Sequence, residues 1–599
     1  MMPPNVGTDH GSEKDEPKPE PRYVSDILVD VMRMLEIEYV ALNPGATLRG
    51  LHDSIVQYGK NRTPELILCC HEETATSIAV GYALAKRKPM AVMVHDIVGL
   101  QHATKAIFEA WIERVPILLV GGTGPLDVDN RRPWIDWIHT SMTNSELVRG
   151  YVKWYDQPEG LTGAIESLLR GYMVSNTDPY GPVYVCYDAH LQEKRMEQRR
   201  ELPDSRRFAV AAPPVAHEDL ITRVTENLLS AKNPVIISER VGRNPTAFAN
   251  LLELSELLSI PVLDRGDCLN FPNSNVLNVT GAEKEILPNA DLILAVDVVD
   301  LENSLAYNPS SQESISRLLI DKDTTKIINL GLSNYLLGSW SADYRRLFPV
   351  DIPVLADSAA TMTRLISKCK ASVSRDIRES FLQRRRLASG IHNRLSQTWN
   401  DEAKQLSENM PISTARIAQE LLHVVQNEEW VVTHGSLSGW IKKLWPLSDP
   451  TRYYGEGLGT GCGLGTGLGV ALAYVNSPKF CISIVRDGDL LYNPSGLWTA
   501  AKYKIPNLIL VFNNRSYYQD EGHQLLMASV RSRDAHKAEI GTRIDEPAVD
   551  FSELSSSYGV SGIGPVTEPS HLKEALEEAV EFLKSERKPV LVDIVTQPR

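Results

Sequence analysis

The residues of this chain best suited to hold a divalent cation lie in two turns, one with acidic side chains and one with two asparagines. An apolar run at 482–485 ends in the sequence RDGD, and a second apolar run at 508–512 ends in NN. A helical pattern between about 495 and 504 joins the two runs. Two parallel strands that are connected by a helix have their carboxyl ends at the same edge of the sheet. Ligands of open α/β sheets bind along that edge. We therefore expect the Asp487 carboxylate and the Asn514 carbonyl to converge there as oxygen ligands for Mg²⁺.

The spacing of these two residues resembles the cofactor-binding motif of the thiamine diphosphate (ThDP) enzymes. That motif is a Gly-Asp-Gly segment followed after a similar interval by Asn-Asn, and Asp487 and Asn514 are 27 positions apart. The resemblance implies that Asp487, the Asn514 side chain and the Ser516 carbonyl hold Mg²⁺ on the cofactor's diphosphate, beside Gly488. An ordinary βαβ unit with polar turns is the alternative.

Two charged residues flank the aspartate of the motif. Arg486 stands where the family has its first glycine, and Asp489 follows the second glycine. Arginine can bind phosphate directly, whereas Asp489 would repel phosphate unless it is paired or turned outward. We expect the two charges to compensate partly, and Asp489 stays among the candidate cofactor-binding residues.

A glutamate at a strand–helix junction is the first candidate for acid–base chemistry. Glu72 follows the apolar run at 66–70 and begins a segment whose small and apolar residues predict a helix with one buried face. A carboxylate in a first helical turn could serve only to stabilise the helix end. The segment, with Gly-Tyr-Ala at 81–83, resembles the family segment whose glutamate binds the cofactor's aminopyrimidine, and it aligns Glu72 rather than Glu73. The resemblance implies that Glu72 is catalytic and shares a proton with a ring nitrogen.

Two further catalytic candidates follow neighbouring apolar runs. The family segment that corresponds to 95–102 commonly contains Gly-Pro-Gly followed by Asn. Here His102 replaces that Asn, and residues 97 and 98 also differ from the family pattern. A histidine near the reacting carbon could shuttle protons, although a loop histidine is also often a hydrogen-bonded surface group. Thr47, on the turn after the first strand, falls where related carboligases place an acid–base side chain.

A short turn and a glycine-rich segment complete the candidate cofactor site. Gly435 and Ser436 resemble the family's first diphosphate-contacting turn, where backbone amides and a helix N-terminus offer donors to phosphate. The family also places a bulky residue that bends the cofactor, and the alignment leaves Leu458 or Thr460 for that role. Both therefore count as cofactor-binding candidates.

Glycine stands at every second position from 455 to 469, which no regular strand needs. If the second half is helical, Gly461, Gly465 and Gly469 lie on one face and allow another backbone to approach closely. A flexible linker is the alternative. The leucines and valine between the glycines favour a packed segment beside the cofactor.

Helical and apolar β-type runs alternate along most of the chain, which predicts an α/β fold of doubly wound domains. Three such domains in this order resemble the ThDP decarboxylase type and cover nearly everything after residue 22. The expected organisation is a disordered tail (1–22), a pyrimidine-binding domain (23–192), a linker (193–213), a central domain (214–370), an exposed helical linker (371–411), and a diphosphate- and Mg²⁺-binding domain (412–599).

Composition and charge indicate which binding partners and which cellular compartment to expect for this protein. The net charge is −14 without a basic stripe, which argues against nucleic acid. No run of eighteen apolar residues occurs, so no membrane-spanning helix is expected. The seven cysteines are scattered and without metal-ligand spacing, which fits reduced thiols and a cytoplasmic protein.

The resemblance includes acetolactate synthase, benzoylformate decarboxylase and benzaldehyde lyase. It implies a ThDP- and Mg²⁺-dependent enzyme that breaks or forms a C–C bond of a 2-oxo acid, a 2-hydroxy ketone or an aldehyde. It also implies a homodimer or homotetramer, because the two cofactor-binding domains that meet at one site come from different subunits. A true acetolactate synthase and a catalytically inactive ThDP-binding relative are the alternatives. FAD is doubtful, since residues 269–272 are not followed by a glycine-rich flavin segment.

Overall fold

The computed structural model describes residues 20–134, 138–198, 200–307, 317–332, 348–373, 375–457 and 459–597, with the backbone alone at 375–378. In these residues three parallel β-sheets are flanked by helices. The predicted α/β fold class is confirmed. The described residues include no helix that is long and apolar enough to cross a bilayer.

The first sheet has six parallel strands in its described part, in the order β2-β1-β3-β4-β6-β5. Its strands are β1 (Tyr39–Leu42), β2 (Glu65–Leu68), β3 (Met90–His95), β4 (Ile117–Thr123), β5 (Trp154–Asp156) and β6 (Val183–Asp188). The helices are α1 (Val24–Met34), α2 (Arg49–Asp53), α3 (Glu72–Lys86), α4 (Asp96–Ile112), α5 (Leu161–Ser175) and α6 (Ala189–Glu193). Strands β3 and β4 are buried along their whole length, as expected for strands covered on both faces.

The second sheet has the order β13-β12-β9-β7-β8 among the described strands, and all of its pairings are parallel. The strands of this region are β7 (Pro234–Ser238), β8 (Val262–Asp264), β9 (Leu292–Val296), β10 (Ala306–Tyr307), β11 (Arg317–Leu318), β12 (Lys326–Gly331) and β13 (Ile352–Leu355), of which β10 and β11 pair separately. The helices are α7 (Glu218–Ser230), α8 (Pro245–Leu258), α9 (Glu283–Ile286), α10 (Leu301–Ser304), α11 (Ser358–Ser372) and α12 (Arg375–Gln405).

Helix α12 is less exposed than its charged sequence predicts. Phe381, Ala388 and Ile391 are buried against the core of the second sheet, and Ala403 is buried against the core of the third. Widely spaced apolar residues are enough to dock one face of a long helix, while the charged faces stay in solvent.

The third sheet has the order β14-β15-β16-β18-β17 within the described residues and is also parallel. Its strands are β14 (Trp430–His434), β15 (Phe480–Arg486), β16 (Leu508–Asn513), β17 (Ser561–Val566) and β18 (Val590–Val595). The helices are α13 (Thr414–Val425), α14 (Trp440–Leu444), α15 (Gly463–Ala473), α16 (Asp487–Tyr492), α17 (Gly496–Tyr503), α18 (Tyr518–Val530), α19 (Phe551–Ser557) and α20 (Pro569–Glu586).

Helix α15 packs against α3 and joins the first and third sheets. A Cβ atom on Gly469 would overlap the carbonyl oxygen of Ile78, and a Cβ atom on Gly465 would lie 2.6 Å from the Ser77 side chain. The predicted close backbone approach is therefore present at Gly469, whereas at Gly465 the close neighbour is a side chain. Gly461 differs because α15 begins only at Gly463; it lies in the preceding turn with φ +96°.

Candidate functional site

Asp487 and Asn514 follow neighbouring strands of the third sheet. The register of β15 and β16 pairs Arg486 with Phe512, so the two turns leave the sheet side by side. The Asp487 carboxylate accepts hydrogen bonds from the backbone amides of Gly488 (2.8 Å) and Arg515 (2.6 Å). Burial raises the pKa of Asp487 to about 6 despite these donors. A nearby cation would favour its ionised form.

A cavity of about 130 Å³ lies over these turns. Its lining includes the predicted residues Thr460, Asp487, Gly488, Asp489, Asn514 and Ser516. Within the turn, the Asn514 side-chain oxygen accepts a hydrogen bond from the Ser516 amide at 3.0 Å. The Ser516 hydroxyl donates to Glu521 at 2.6 Å. These bonds fix the conformation of the turn at the cavity.

Two tyrosines that the sequence analysis did not single out form another wall of this cavity. Tyr492 and Tyr517 line it and meet edge to face, with ring centroids 6.1 Å apart. A Cβ atom on Gly488 would lie 2.6 Å from the Tyr517 ring. The glycine of the motif is therefore needed because the aromatic ring occupies the space of a side chain.

Arg486 and Asp489 have separate partners. The Arg486 guanidinium forms an ion pair with Glu456, and Glu456 also accepts a hydrogen bond from the Ser436 hydroxyl at 2.6 Å. Asp489 accepts a hydrogen bond from the Gly461 amide at 2.5 Å. The arginine is therefore compensated by a carboxylate that the sequence analysis did not identify.

The turn at Gly435 is held by a hydrogen bond within the protein. Gly435 has φ +92°, and its amide donates to the Gly455 carbonyl at 2.9 Å. That amide is thus bonded within the protein, and the contact of Gly435 and Ser436 with a diphosphate stays a prediction. Among the two bulky candidates, Thr460 lies at the cavity, whereas Leu458 lies outside the described residues.

His434 ends β14 and is a further buried group next to this site. Burial lowers its pKa to about 4, and the charge of Asp489 opposes that shift. A Cβ atom on Gly463 would lie 2.6 Å from His434 Nε2. The histidine is therefore neutral near pH 7, and the start of α15 packs directly on it.

Glu72 and His102 form a pair at the carboxyl edge of the first sheet. The Glu72 Oε2 atom lies 3.2 Å from His102 Nδ1, and the His102 side chain is 59% exposed whereas that of Glu72 is 6% exposed. His102 also stacks on His71, with ring centroids 4.9 Å apart. The expectation of a loop histidine is wrong, because α4 begins at Asp96 directly after β3 and includes His102.

Thr47 belongs to a chain of hydrogen bonds at the same edge. Its hydroxyl lies 2.9 Å from His95 Nδ1, and His95 Nε2 lies 2.9 Å from His139 Nδ1. Thr47 and His95 are buried. His139 was not a candidate from the sequence, since only the fold brings it to the end of β3.

Among the described residues of one chain, only the group around Asp487 lines the cavity at the third sheet. Glu72, His102 and Thr47 are absent from the lining of the cavity at Asp487. On the side of α3 that faces the third sheet, Glu73 rather than Glu72 lies 3.5 Å from the Cys462 sulfur. The Asn493 side chain donates to Thr74 at 2.7 Å.

Comparison with known protein families assigns both groups of residues to cofactor-binding domains. Residues 22–146 match the thiamine pyrophosphate enzyme N-terminal TPP binding domain, and residues 433–594 match the C-terminal TPP binding domain of the same enzymes. The chain belongs to the thiamine pyrophosphate enzymes. Its N-terminal TPP domain contains Glu72, and its C-terminal TPP domain contains Asp487.

Relatives of this thiamine pyrophosphate enzyme align along most of its length. A probable acetolactate synthase large subunit from Methanococcus aeolicus is 22% identical over 96% of this chain and 92% of the relative. A benzoylformate decarboxylase from Pseudomonas aeruginosa is 22% identical over 89% of this chain and 92% of the relative. The structure of a ThDP-dependent 4-hydroxybenzoylformate decarboxylase from Rhodococcus jostii superposes with a TM-score of 0.73 at 20% identity, covering 96% of this chain and 99% of that one. The whole three-domain fold is therefore shared.

Proposed function

We propose that this protein is a ThDP- and Mg²⁺-dependent enzyme that breaks or forms a C–C bond of a 2-oxo acid, a 2-hydroxy ketone or an aldehyde. The observation that carries the proposal is the convergence of Asp487 and Asn514 on one cavity of a TPP-binding domain. Relatives named for acetolactate synthesis and benzoylformate decarboxylation support this class of reaction.

The residues at the cavity fit a magnesium ion that is shared with a diphosphate. Asp487 offers a buried carboxylate, and Asn514 and the Ser516 carbonyl add neutral oxygens, which are the ligands this cation prefers. In the described residues no cluster of three His, Cys, Asp or Glu side chains is arranged to hold a metal. The proposed ion therefore depends on phosphate oxygens for part of its coordination, which couples metal binding to cofactor binding.

When bound, ThDP supplies a carbon nucleophile and an electron sink for the cleaved bond. We assign Glu72 the task of holding a proton at the cofactor's pyrimidine nitrogen. Its Oε2 atom contacts His102, while Oε1 has no hydrogen-bond partner among the described residues. One carboxylate oxygen is thus available to the cofactor, and the mostly exposed His102 connects the other to solvent.

Thr47 is proposed as a polar contact for the reacting substrate. Its hydroxyl is bound to His95, which is bound in turn to His139. A threonine hydroxyl is a weak acid or base by itself, but a pair of histidines can pass a proton to or from it. This arrangement lies on the same sheet edge as Glu72.

We propose that the active enzyme is a homodimer or homotetramer in which each site combines Glu72 of one subunit with Asp487 of another. The separation of the two groups within one chain supports this proposal. Exposed apolar side chains on both TPP domains support it as well, since large apolar side chains in solvent mark interaction surfaces. They include Trp134, Ile138 and Met142 on the first domain and Val530 and Ile540 on the third.

Mixing two inactive variants tests the shared site. If Glu72→Gln and Asp487→Ala chains are co-expressed, half of the sites in a mixed dimer combine two intact halves. Activity should then return, although each variant alone is inactive. No recovery in verified mixed dimers would contradict a site shared between subunits.

A substrate panel tests the reaction class. Pyruvate, benzoylformate and 2-hydroxy ketones are incubated with the protein, ThDP and Mg²⁺, and the products are analysed by mass spectrometry. Loss of CO₂ or exchange of an aldehyde supports the proposal, and acetolactate from pyruvate would favour a true acetolactate synthase. Tight ThDP binding without any turnover would instead indicate an inactive relative.

We also propose a cytoplasmic location. The cysteines of the described residues are all free, and five of them besides Cys69 are buried. Buried free thiols are stable in a reducing compartment. Fluorescent tagging of the full chain tests this proposal, and an organellar signal would contradict it.

A further inference from the structure

A second cavity, of about 210 Å³, lies between the first and second sheets. Its floor is built from residues that follow the carboxyl ends of β7, β9, β12 and β13. In the second sheet β7 lies between β8 and β9, so the chain reverses direction across the sheet at this point. Such reversals open a crevice in which α/β domains bind ligands. The cavity is separate from the proposed cofactor site.

Four arginines line this cavity, and three of them, Arg114, Arg240 and Arg243, have incomplete hydrogen bonding. Arg240 donates to the Ile112 carbonyl at 2.6 Å, but its Nη1 is buried without a partner. Arg243 pairs with Glu113, yet its Nε is also buried without a partner. The Arg114 guanidinium has no hydrogen bond to any described residue, and burial and Arg240 lower its pKa to about 9. Buried donors without acceptors are costly, and one carboxylate, Glu113, does not satisfy all the donors of this cluster.

Three aspartates, Asp178, Asp297 and Asp357, also line this cavity. Burial raises the pKa of Asp297 to about 7, and the charges of the other two add to that shift. Burial and Asp357 likewise raise the pKa of Asp178. Asp297 accepts a hydrogen bond from the Ser358 hydroxyl at 2.6 Å. These carboxylates repel one another, and none of the three forms an ion pair with a cationic side chain of the described residues.

Arg114 borders both clusters, because its charge acts on Arg240 and also on Asp178 and Asp297. Arg243 is already balanced by Glu113. The other charged residues of the lining are three arginines, with Arg87 as the third, and three aspartates. Apolar side chains cover the space between, among them Leu84, Val115 and Leu332. The volume corresponds to about seven water molecules at roughly 30 Å³ each. A complementary ligand is small, carries both charges and has a short apolar body.

We propose that this cavity binds a small zwitterion, an α-amino acid with a short aliphatic side chain, whose carboxylate contacts the arginines and whose ammonium group contacts the aspartates. The ligand would satisfy buried donors and acceptors that the protein leaves open. Because it touches both sheets, it would stabilise the contact between the first and second domains.

Three probes with the same body test the charge requirement. Calorimetry on the full chain with ThDP and Mg²⁺ compares L-2-aminobutyrate with butyrate, which lacks the ammonium group, and with propylamine, which lacks the carboxylate. We expect aminobutyrate to bind at least about tenfold more tightly than either. Equal binding of butyrate, or no binding of aminobutyrate at millimolar concentration, would overturn the proposal.

Variants locate the binding. Arg114→Gln should weaken the binding of aminobutyrate at least about tenfold. The control is Arg394→Gln, which should leave this binding unchanged. It removes an exposed arginine that pairs with Glu285 away from the cavity. Asp178→Asn serves as a second variant if Arg114→Gln does not fold. Asp487→Ala should keep aminobutyrate binding, which separates this cavity from the cofactor site. Unchanged affinity in a folded Arg114→Gln or Asp178→Asn protein would refute the assignment.

Discussion

The Oε2 atom of Glu72 lies 3.2 Å from Nδ1 of His102, and this contact joins a buried carboxylate to an imidazole that is mostly in solvent. Helix α3 presents Glu72 in its first turn, and helix α4 presents His102 from the neighbouring strand end. A Cβ atom on Gly99 would lie 2.9 Å from the other Glu72 oxygen. The glycine on α4 therefore keeps open the space around Glu72 Oε1.

Glu72→Gln should bind ThDP but lose activity by about 10²–10⁴-fold, the usual loss for a group that transfers a proton. Glutamine keeps the size and the buried position of the side chain and removes the proton-holding oxygen. The matched control is Glu73→Gln, one residue along the same helix, which contacts Cys462. Full activity in the Glu72 variant, measured with saturating cofactor, would remove Glu72 from its role.

Arg486→Gly should weaken ThDP binding by about tenfold. The arginine neutralises Glu456, and its loss would leave an unpaired carboxylate close to the proposed diphosphate. A second change, Glu456→Gln, should restore affinity in the Arg486→Gly background. Calorimetric titration of the two single variants and the double variant measures this coupling. Tighter ThDP binding by Arg486→Gly alone would contradict the pairing argument.

Gly469→Ala should destabilise the protein by about 1–3 kcal/mol, because the new Cβ atom would overlap the Ile78 carbonyl on helix α3. Gly522 provides the control, since it lies in helix α18 and a Cβ atom there would meet nothing within 4 Å. Gly522→Ala should stabilise by up to about 1 kcal/mol. Urea unfolding measures both, and an equal effect of the two changes would argue against close packing of α3 on α15.

The pKa of Asp297, raised by burial to about 7 from its ordinary 3.8, predicts a pH dependence of stability. The folded state binds the Asp297 proton more tightly than the unfolded state does. The protonated side chain therefore makes its full contribution to the free energy of unfolding below pH 3.8, and this contribution is lost as the pH rises to about 7. Asp297→Asn should therefore raise the thermal midpoint at pH 8 by at least about 2–4 °C.

The rise in the thermal midpoint of Asp297→Asn should become smaller as the pH is lowered from about 7 to 3.8. Asp219→Asn is a suitable control, because the Asp219 side chain is 95% exposed. A gain that is independent of pH, or an equal gain in the control, would rule out Asp297 as the source.

Local patterns predicted the parts of the site that depend on neighbouring strands. Asp487 and Asn514 were identifiable because a βαβ unit has one possible arrangement of its strand ends. Glu72 was singled out by the resemblance of its segment to the family segment whose glutamate binds the aminopyrimidine. The structure places it at the start of helix α3, after β2.

Contacts between distant segments were not predictable in this way. The pairing of Arg486 with Glu456 depends on the path of the glycine-rich turn, whose residues adopt positive φ angles at Gly455 and Gly457. The contact of His95 with His139 depends on a long loop. Helix α4 begins at Asp96 although Ile97 and Val98 are β-branched, and such residues favour strands in isolation. Packing of α4 on α3 overrides that preference.

Calorimetric titration of ThDP with Mg²⁺ or with EDTA, on the unmodified chain and on Asp487→Ala, tests the cofactor site most directly. We expect ThDP to bind only when Mg²⁺ is present, and the variant to lose about 10–100-fold in affinity, as is usual when the surroundings of a metal are altered. Equal ThDP affinity with EDTA, or undiminished affinity in Asp487→Ala, would contradict a magnesium-dependent site at the ends of β15 and β16.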